Sequence, residues 1–214
     1  MNQVKLHLDW CSHEAAKYSV EHWHYSKCLP AGKMVKIGVW ENDKFIGCVL
    51  FSRGANNHLL NPYGLKQTEG CELTRIALSN HKTTVTKIVS IAIKMLKQQS
   101  PKLKLIISFA DDRQNHLGII YQAGNWVYTG KVKSTPEYFI NGRWQHQRNV
   151  HSLFGSIKGL DCPKKDGGYR LRYLMSLDNE IKKQIEKLRK PYPKKLCGNV
   201  VKEHSSLPSE KVAV

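Results

Sequence analysis

The chain has 214 residues, 41% of them hydrophobic, and its 34 Lys and Arg against 17 Asp and Glu leave a formal charge of +17. This length and apolar content suit one ordinary domain with a tail and exclude a wholly disordered chain, and no apolar run approaches the roughly 18 residues of a membrane span. Such a basic excess is too large for a typical enzyme of small neutral substrates and points to a polyanionic partner, nucleic acid before all others.

Val4 to Leu8 reads as a first strand. Ser12 is placed to cap a helix running through Trp23, with Ala16, Val20 and Trp23 at helical spacing, and Leu29-Pro30-Ala31-Gly32 breaks it. Val35, Ile37 and Val39 alternate as a strand, Glu41 to Lys44 makes a turn, and Phe45 to Ser52 returns as a hairpin. A loop from Gly54 to Gly64 leads to a strand from Cys71 to Leu78. The clearest helix follows: Val85, Ile88, Val89, Ala92, Met95 and Leu96 fall on one stripe, with Lys87, Lys94 and Lys97 facing away, and Pro101 ends it. A strand from Leu103 to Phe109 runs into Ala110-Asp111-Asp112, then a helix-sized segment holding His116 and Tyr121 that stops at Gly124. Strands are expected around Trp126–Gly130, Tyr138–Trp144 and Tyr169–Met175, and a charged helix with Ile181, Ile185 and Leu188 from Asp178. About the last 15 to 20 residues are expected to be loosely ordered. The order β-α-β-β-β-α-β-α-β-β implies an α/β (α+β) fold, a mixed sheet with helices on both faces. The division is a body over residues 1–177 and a basic C-terminal helix and tail over residues 178–214.

The positive charge is not confined to that tail. Residues 1–154 carry 20 basic and 10 acidic side chains and residues 155–214 carry 14 and 7, so the body itself should present a positive surface. Met1-Asn2-Gln3-Val4-Lys5 leads into no apolar signal region, and a cytoplasmic protein is expected. The six cysteines (Cys11, Cys28, Cys48, Cys71, Cys162, Cys197) form no Cys-x-x-Cys pair, which argues against a thiolate zinc site and suits free thiols in a reducing compartment.

The segment Ile106 to Gly130 carries the most chemical information. Asp111, His116 and Tyr121 lie within eleven positions, at the end of a strand and beyond it. In open α/β sheets ligands bind at such strand ends. Each residue has a plainer reading: Asp111 as a helix cap, His116 as a solvated side chain, Tyr121 as a core aromatic. The three together favour a site.

The element order resembles the GNAT acyltransferase fold, whose fourth and fifth strands (here Cys71–Leu78 and Leu103–Phe109) splay apart to admit an acyl-coenzyme A. The helix after them usually carries an Asn, a Tyr that protonates the departing thiolate, and a Gly-Phe pair. Asn115, Tyr121 and Trp126 fall near those places, with the Asn-to-Tyr spacing one short and Asn125 where the Gly would be. A more specific set of residues runs through the chain from about Glu21 to Gly130. It begins with His24-Tyr25-Ser26, Pro30 and Ile46-Gly47 and continues with Glu72-Leu73-Thr74-Arg75, Ser108-Phe109-Ala110-Asp111, His116, Gly118, Tyr121-Gln122-Ala123 and Tyr128-Thr129-Gly130. In this set and order the sequence is similar to the Mom family of phage DNA-modification proteins.

The resemblance implies transfer of a carbamoylmethyl (glycinamide-like) group to the exocyclic amine of adenine in double-stranded DNA, shielding phage DNA from host restriction in the host cytoplasm. It assigns His24, Tyr25, Asp111 and Tyr121 to catalysis and Ser26, Ser108 and His116 to substrate binding. Leu78, Lys82, Thr83, Thr84, Val85 and Asn115 would hold acetyl-CoA or a related acyl-CoA, although the turn Ser79 to Thr84 lacks the glycines of the usual pyrophosphate loop. A divalent iron held by His24, Asp111 and His116 is a further expectation, since two His and a carboxylate suit such a metal. Two other readings stand beside this one: an ordinary GNAT acyltransferase acting on an amine of a small molecule, protein or RNA, and a DNA-binding protein without catalysis.

Overall fold

Alternating apolar residues build a seven-stranded sheet with helices on both faces in the computed structural model, which describes residues 4–30, 32–54 and 56–194. The elements are β1 (Leu6–Trp10), α1 (His13–Trp23), β2 (Met34–Glu41), β3 (Lys44–Ser52), β4 (Gly70–Leu78), α2 (Val85–Gln99), β5 (Leu105–Asp111), α3 (Ile119–Ala123), β6 (Val127–Lys133), β7 (Glu137–Ile140), β8 (Arg143–His146), α4 (Gln147–Phe154), β9 (Lys164–Lys165), β10 (Tyr169–Ser176) and α5 (Asn179–Glu186). The sheet order is β1-β2-β3-β4-β5-β10-β6, and a small second sheet runs β8-β7-β9. Within the large sheet only β4 and β5 pair in parallel. This is the mixed, mostly antiparallel sheet expected from the sequence.

Local sequence sets the early elements. Ser12 Oγ accepts the Ala15 N–H at 3.1 Å and caps α1. Asn42 and Asp43 take positive φ (48° and 64°) between the paired Glu41 and Lys44, the two-residue turn that matches strand twist. Gly47 sits at φ +140°, where a Cβ would lie 2.0 Å from the Ala77 carbonyl oxygen, so the close approach of β3 to β4 needs glycine there.

Period-two alternation then decides which helix meets which face. On β3, Val49 and Phe51 face Ile88, Val89, Ala92 and Leu96 of α2, while Cys48 and Leu50 face Ala16 and Val20 of α1. Helices therefore cover both faces. α5, assigned from sequence to the C-terminal segment, buries Ile181 and Ile185 against Leu105, Ile107, Val127 and Leu174 of the central sheet. Beyond α5, the Lys190 N–H donates to the Tyr128 carbonyl at 2.8 Å and the Tyr192 hydroxyl to the Trp126 carbonyl at 2.7 Å, strapping the chain to β6.

The structure departs from the expected elements in several places. The first strand starts and ends two residues later than Val4–Leu8. The strand expected over Tyr138–Trp144 is a hairpin, because Asn141 (φ 52°) and Gly142 (φ 75°) make a turn between β7 and β8. α4 and β9 were not expected. The helix expected to hold His116 is only α3; His116 precedes it in an irregular loop. β10 inserts between β5 and β6, an order that pairing across a long insertion decides. The last residues, expected to be loosely ordered, fall outside the described residues. Among the described residues no helix is long and apolar enough to cross a membrane.

Candidate active site

The parallel ladder between β4 and β5 runs only from Gly70↔Leu105 to Leu73↔Ser108. Past that rung the two strands part. β5 goes on pairing with β10 as far as Asp111↔Arg170. β4 carries one extra residue, Thr74, against β3, where the register shifts between Leu50 and Phe51. Such a bulge bends the strand and turns its later side chains to the opposite faces. Cys71 and Leu73 accordingly face α2 before the bulge, Ile76 and Leu78 after it, and Arg75 is released toward the other side.

Tyr121 plugs the fork. Its ring is buried against Trp126 and Tyr173, each with centroids 5.1 Å away. Its hydroxyl meets Ser108 Oγ at 2.7 Å, and Ser108 Oγ meets the Leu73 carbonyl at 2.8 Å. Ser108 has one hydroxyl hydrogen and the carbonyl can only accept, so Ser108 donates to Leu73 and accepts from Tyr121. Burial pushes the Tyr121 hydroxyl up to about 12. Ser108, expected to touch substrate, is wholly buried beneath this plug. Gly118 (φ +68°) lets the preceding loop close on the same cluster, since a Cβ there would lie 2.4 Å from the Tyr173 ring.

Above the plug opens a cleft of about 570 Å³ between β4 and β5. His24, Tyr25, Asp111, Asn115, His116 and Tyr121 all line it, although they span residues 24 to 121 of the sequence. The chain leaves α1 at His24 and turns over the cleft mouth. There Tyr25 is half exposed, its ring 4.4 Å from that of His24 and edge-on to that of His116 at 5.2 Å. Ser26 stands just outside the cleft and serves His24: its N–H donates to His24 Nδ1 at 3.1 Å, and its Oγ lies 2.8 Å from the same nitrogen. A ring nitrogen that accepts an N–H carries no proton, so the neutral tautomer of His24 is the Nε2–H form. Burial, with Arg75, His116 and Lys27 nearby, lowers the His24 pKa to about 4. His24 is therefore a neutral hydrogen-bond donor near pH 7 rather than a cation or a strong base. Burial, then the Asp111 charge, raises the pKa of Tyr25.

Asp111 closes β5 and is mostly buried, with its carboxylate engaged. Oδ1 accepts the Arg113 N–H at 3.1 Å, capping the short turn Asp112–Gln114, and the Arg113 guanidinium approaches both oxygens at 3.4 Å. Arg113 reaches on to Glu137 at 2.9 Å and Glu137 to Lys165 at 3.1 Å. The capping role considered from sequence is realised here, at the edge of the cleft. Asn115 follows with a left-handed backbone (φ 54°) at the rim.

Two cationic side chains escaped the sequence reading. Arg75 lines the cleft, with Nη1 2.7 Å from its own strand's Thr74 carbonyl and Nε 3.4 Å from the Cys28 carbonyl. Burial lowers its pKa. Arg113 was passed over in a polar turn. The sequence signs of Arg75 were its place in the Glu72-Leu73-Thr74-Arg75 match and a charge inside a β-rich run.

Apart from Asn115 at the cleft rim, the residues expected to grip a coenzyme lie away from the plug, around the N-terminus of α2. Leu78 ends β4 half-buried, Thr84 is the N-cap without a side-chain cap bond, and Val85 opens the helix against the core. The N–H groups of Lys82 and Thr83 are already occupied. The Glu41 carboxylate accepts Lys82 N–H at 3.2 and 2.9 Å and Thr83 N–H at 2.6 Å. Burial pushes Glu41 up, but the Thr83 hydroxyl and the two backbone donors outweigh it and hold it below the usual carboxylate range. Glu41 thus takes two of the turn's amides that a pyrophosphate would otherwise use.

The iron expected from His24, Asp111 and His116 is corrected. Among the described residues no group of three or more His, Cys, Asp and Glu is placed to hold a metal. The reason lies in their partners: Asp111 is committed to Arg113, His24 Nδ1 to Ser26, and the His116 ring to Tyr25.

The family model described as the Mom protein family matches residues 5–194. The chain belongs to the Mom protein family. It is similar to the methylcarbamoylase Mom of Escherichia phage Mu, 25% identical over 209 residues covering 89% of this chain and 84% of that protein. Among solved structures, an N-acetyltransferase from Staphylococcus aureus Mu50 is similar in fold, with a TM-score of 0.50 and 11% identity over 82% of this chain and 99% of that one. A Bacillus subtilis acetyltransferase solved in complex with CoA gives a TM-score of 0.48 at 12% identity over 82% of this chain and all of that one. The chain thus has the acetyltransferase fold, and many of the residues that carried the resemblance in sequence, among them His24, Tyr25, Arg75, Asp111, His116 and Tyr121, gather at the fork of its sheet.

Proposed function

We propose that this chain is a DNA-modifying transferase that joins a carbamoylmethyl (glycinamide-like) group to the exocyclic amine of adenine in duplex DNA, acting in the host cytoplasm to shield phage DNA from restriction. The observation that carries the reading is the convergence of His24, Tyr25, Asp111, His116 and Tyr121 on one cleft in a chain of the Mom family. The formal charge of +17 supplies the independent argument for a polyanionic partner.

The chemistry sets what the cleft must do. The adenine amine is partly buried in the duplex and its lone pair is delocalised, so the base is flipped into a pocket and stacked there. Tyr25 and His116 at the mouth offer the rings for stacking, and Arg75 offers charge to a neighbouring phosphate. As the N–C bond forms, the amine loses a proton, and Asp111 is the carboxylate placed at the strand end to orient the amine and take that proton. The leaving group departs with its electron pair and meets the Nε2–H of neutral His24. Tyr121, its proton directed at Ser108, holds the fork open and keeps β4 and β5 in register.

An ordinary acyltransferase is disfavoured by the occupied turn at Glu41, and a non-catalytic DNA binder by the cleft with its acid, imidazole and phenol. Digesting DNA from cells that express the protein and weighing the nucleosides tests the reading. A deoxyadenosine heavier by one carbamoylmethyl group is expected; unmodified DNA in the presence of folded protein would refute it.

A further inference from the structure

The turn that leads into α2 already contains an anion. The β2–β3 hairpin presents Glu41 at its tip, and the hairpin is fixed there: the Asn42 N–H donates to the Lys5 carbonyl at 2.8 Å and the Lys5 N–H to Asn42 Oδ1 at 2.9 Å. From that anchor the Glu41 side chain, 8% exposed, reaches across 41 residues of sequence to the Lys82 and Thr83 amides. α2 has no acidic residue in its own first turn and no side-chain cap. A carboxylate donated from another element thus stands in the turn just before its positive end. The absence of glycine fits the same picture. A diphosphate needs glycines so that the backbone can approach it closely, whereas one flat carboxylate can take two adjacent N–H groups from an ordinary turn.

We infer that Glu41 is the resident anion of this turn and that the donor of the transferred group is not held there through a diphosphate. The protein keeps the forked sheet of an acetyltransferase but has closed the nucleotide end of the cofactor channel with its own side chain. The donor is then a compact activated amide or ester gripped in the fork itself, where Arg75, His24 and Asp111 supply the polar contacts. The inference concerns the donor alone and does not depend on the acceptor being adenine.

The test uses the full chain, isothermal titration and thermal shift, with acetyl-coenzyme A, acetyl-pantetheine and inorganic pyrophosphate at millimolar concentration as probes. Wild type should bind acetyl-coenzyme A no more than about twofold tighter than acetyl-pantetheine, since the diphosphate adds nothing. Glu41→Ala should bind pyrophosphate roughly tenfold or more tightly than wild type, because two aligned N–H groups become free. Acetyl-coenzyme A that outbinds acetyl-pantetheine by roughly tenfold in wild type would overturn the inference, as would a folded Glu41→Ala that gains no pyrophosphate affinity. Should Glu41→Ala not fold, amide NMR of wild type decides. The Lys82 and Thr83 amide resonances should move with the Glu41 carboxylate on acidification and ignore pyrophosphate; the reverse pattern sinks the inference.

Discussion

Replacing Asp111 by Asn separates the two things that this carboxylate does. Asn caps about as well as Asp, so the bond from the Arg113 N–H survives through its amide oxygen. What is lost is the charge opposite the Arg113 guanidinium, and Arg113 keeps its second partner, Glu137. An ion pair of this partly exposed kind contributes about 0.2–1 kcal/mol. For an ordered body of this size that is a drop in Tm of at most about 4 °C. If Asp111 takes the proton from the amine, modification should fall by about 100-fold or more, the scale on which general-base loss is usually felt. The two effects differ enough to be told apart. The assay is nucleoside mass spectrometry on duplex DNA treated with variant and wild type at equal folded concentration, beside a thermal melt and a DNA-binding titration. Near-normal modification per folded molecule, with an early melt, would mean that Asp111 only caps the turn. A loss of DNA affinity matching the loss of modification would equally refute the catalytic role.

Other outcomes follow from the same contacts. Residues 195–214 hold three lysines against two glutamates, so a chain ending at Lys194 keeps +16 and should bind duplex DNA with unchanged, steep salt dependence. Ending the chain near Asp178 removes Ile181 and Ile185 from the core and should cost about 3–6 kcal/mol, seen as a lowered urea midpoint. Ser108→Ala leaves the Tyr121 hydroxyl and the Leu73 carbonyl without their partner and should cost about 1–3 kcal/mol; a stability equal to wild type would refute the plug. His24 has a folded pKa of about 4 against an ordinary 6.5, so the unfolded chain binds the extra proton between those values. Stability should therefore be full above pH 6.5 and decline as pH falls toward 4. His24→Gln should flatten that part of the urea-derived stability curve, and an identical slope in the variant would show that His24 does not contribute.

Most of the fold was legible because it is written in short-range periodicity. The stripe of Val85, Ile88, Val89, Ala92 and Leu96, the Ser12 cap and the Asn42-Asp43 turn each depend on neighbours within a few residues, and each stands where the sequence placed it. The β7–β8 hairpin was legible too, in Asn141-Gly142, and was missed by reading across it. The insertion of β10 between β5 and β6 was not legible, since every strand there has apolar residues able to pair with either neighbour.

The site divides in the same way. Sequence by itself determined which side chains were available: the acid, imidazole and phenol after the fifth strand, the His-Tyr-Ser after the first helix, the basic charge and the family. It could not tell what each side chain touches. That Asp111 is held by Arg113, that Tyr121 seals the fork through Ser108, that Arg75 is turned into the cleft by a bulge, and that Glu41 fills the turn before α2 are contacts between different elements. Such contacts arise only once the sheet has set the strands in order, because hydrogen bonds act over about 3 Å while the residues concerned lie tens of positions apart in the chain.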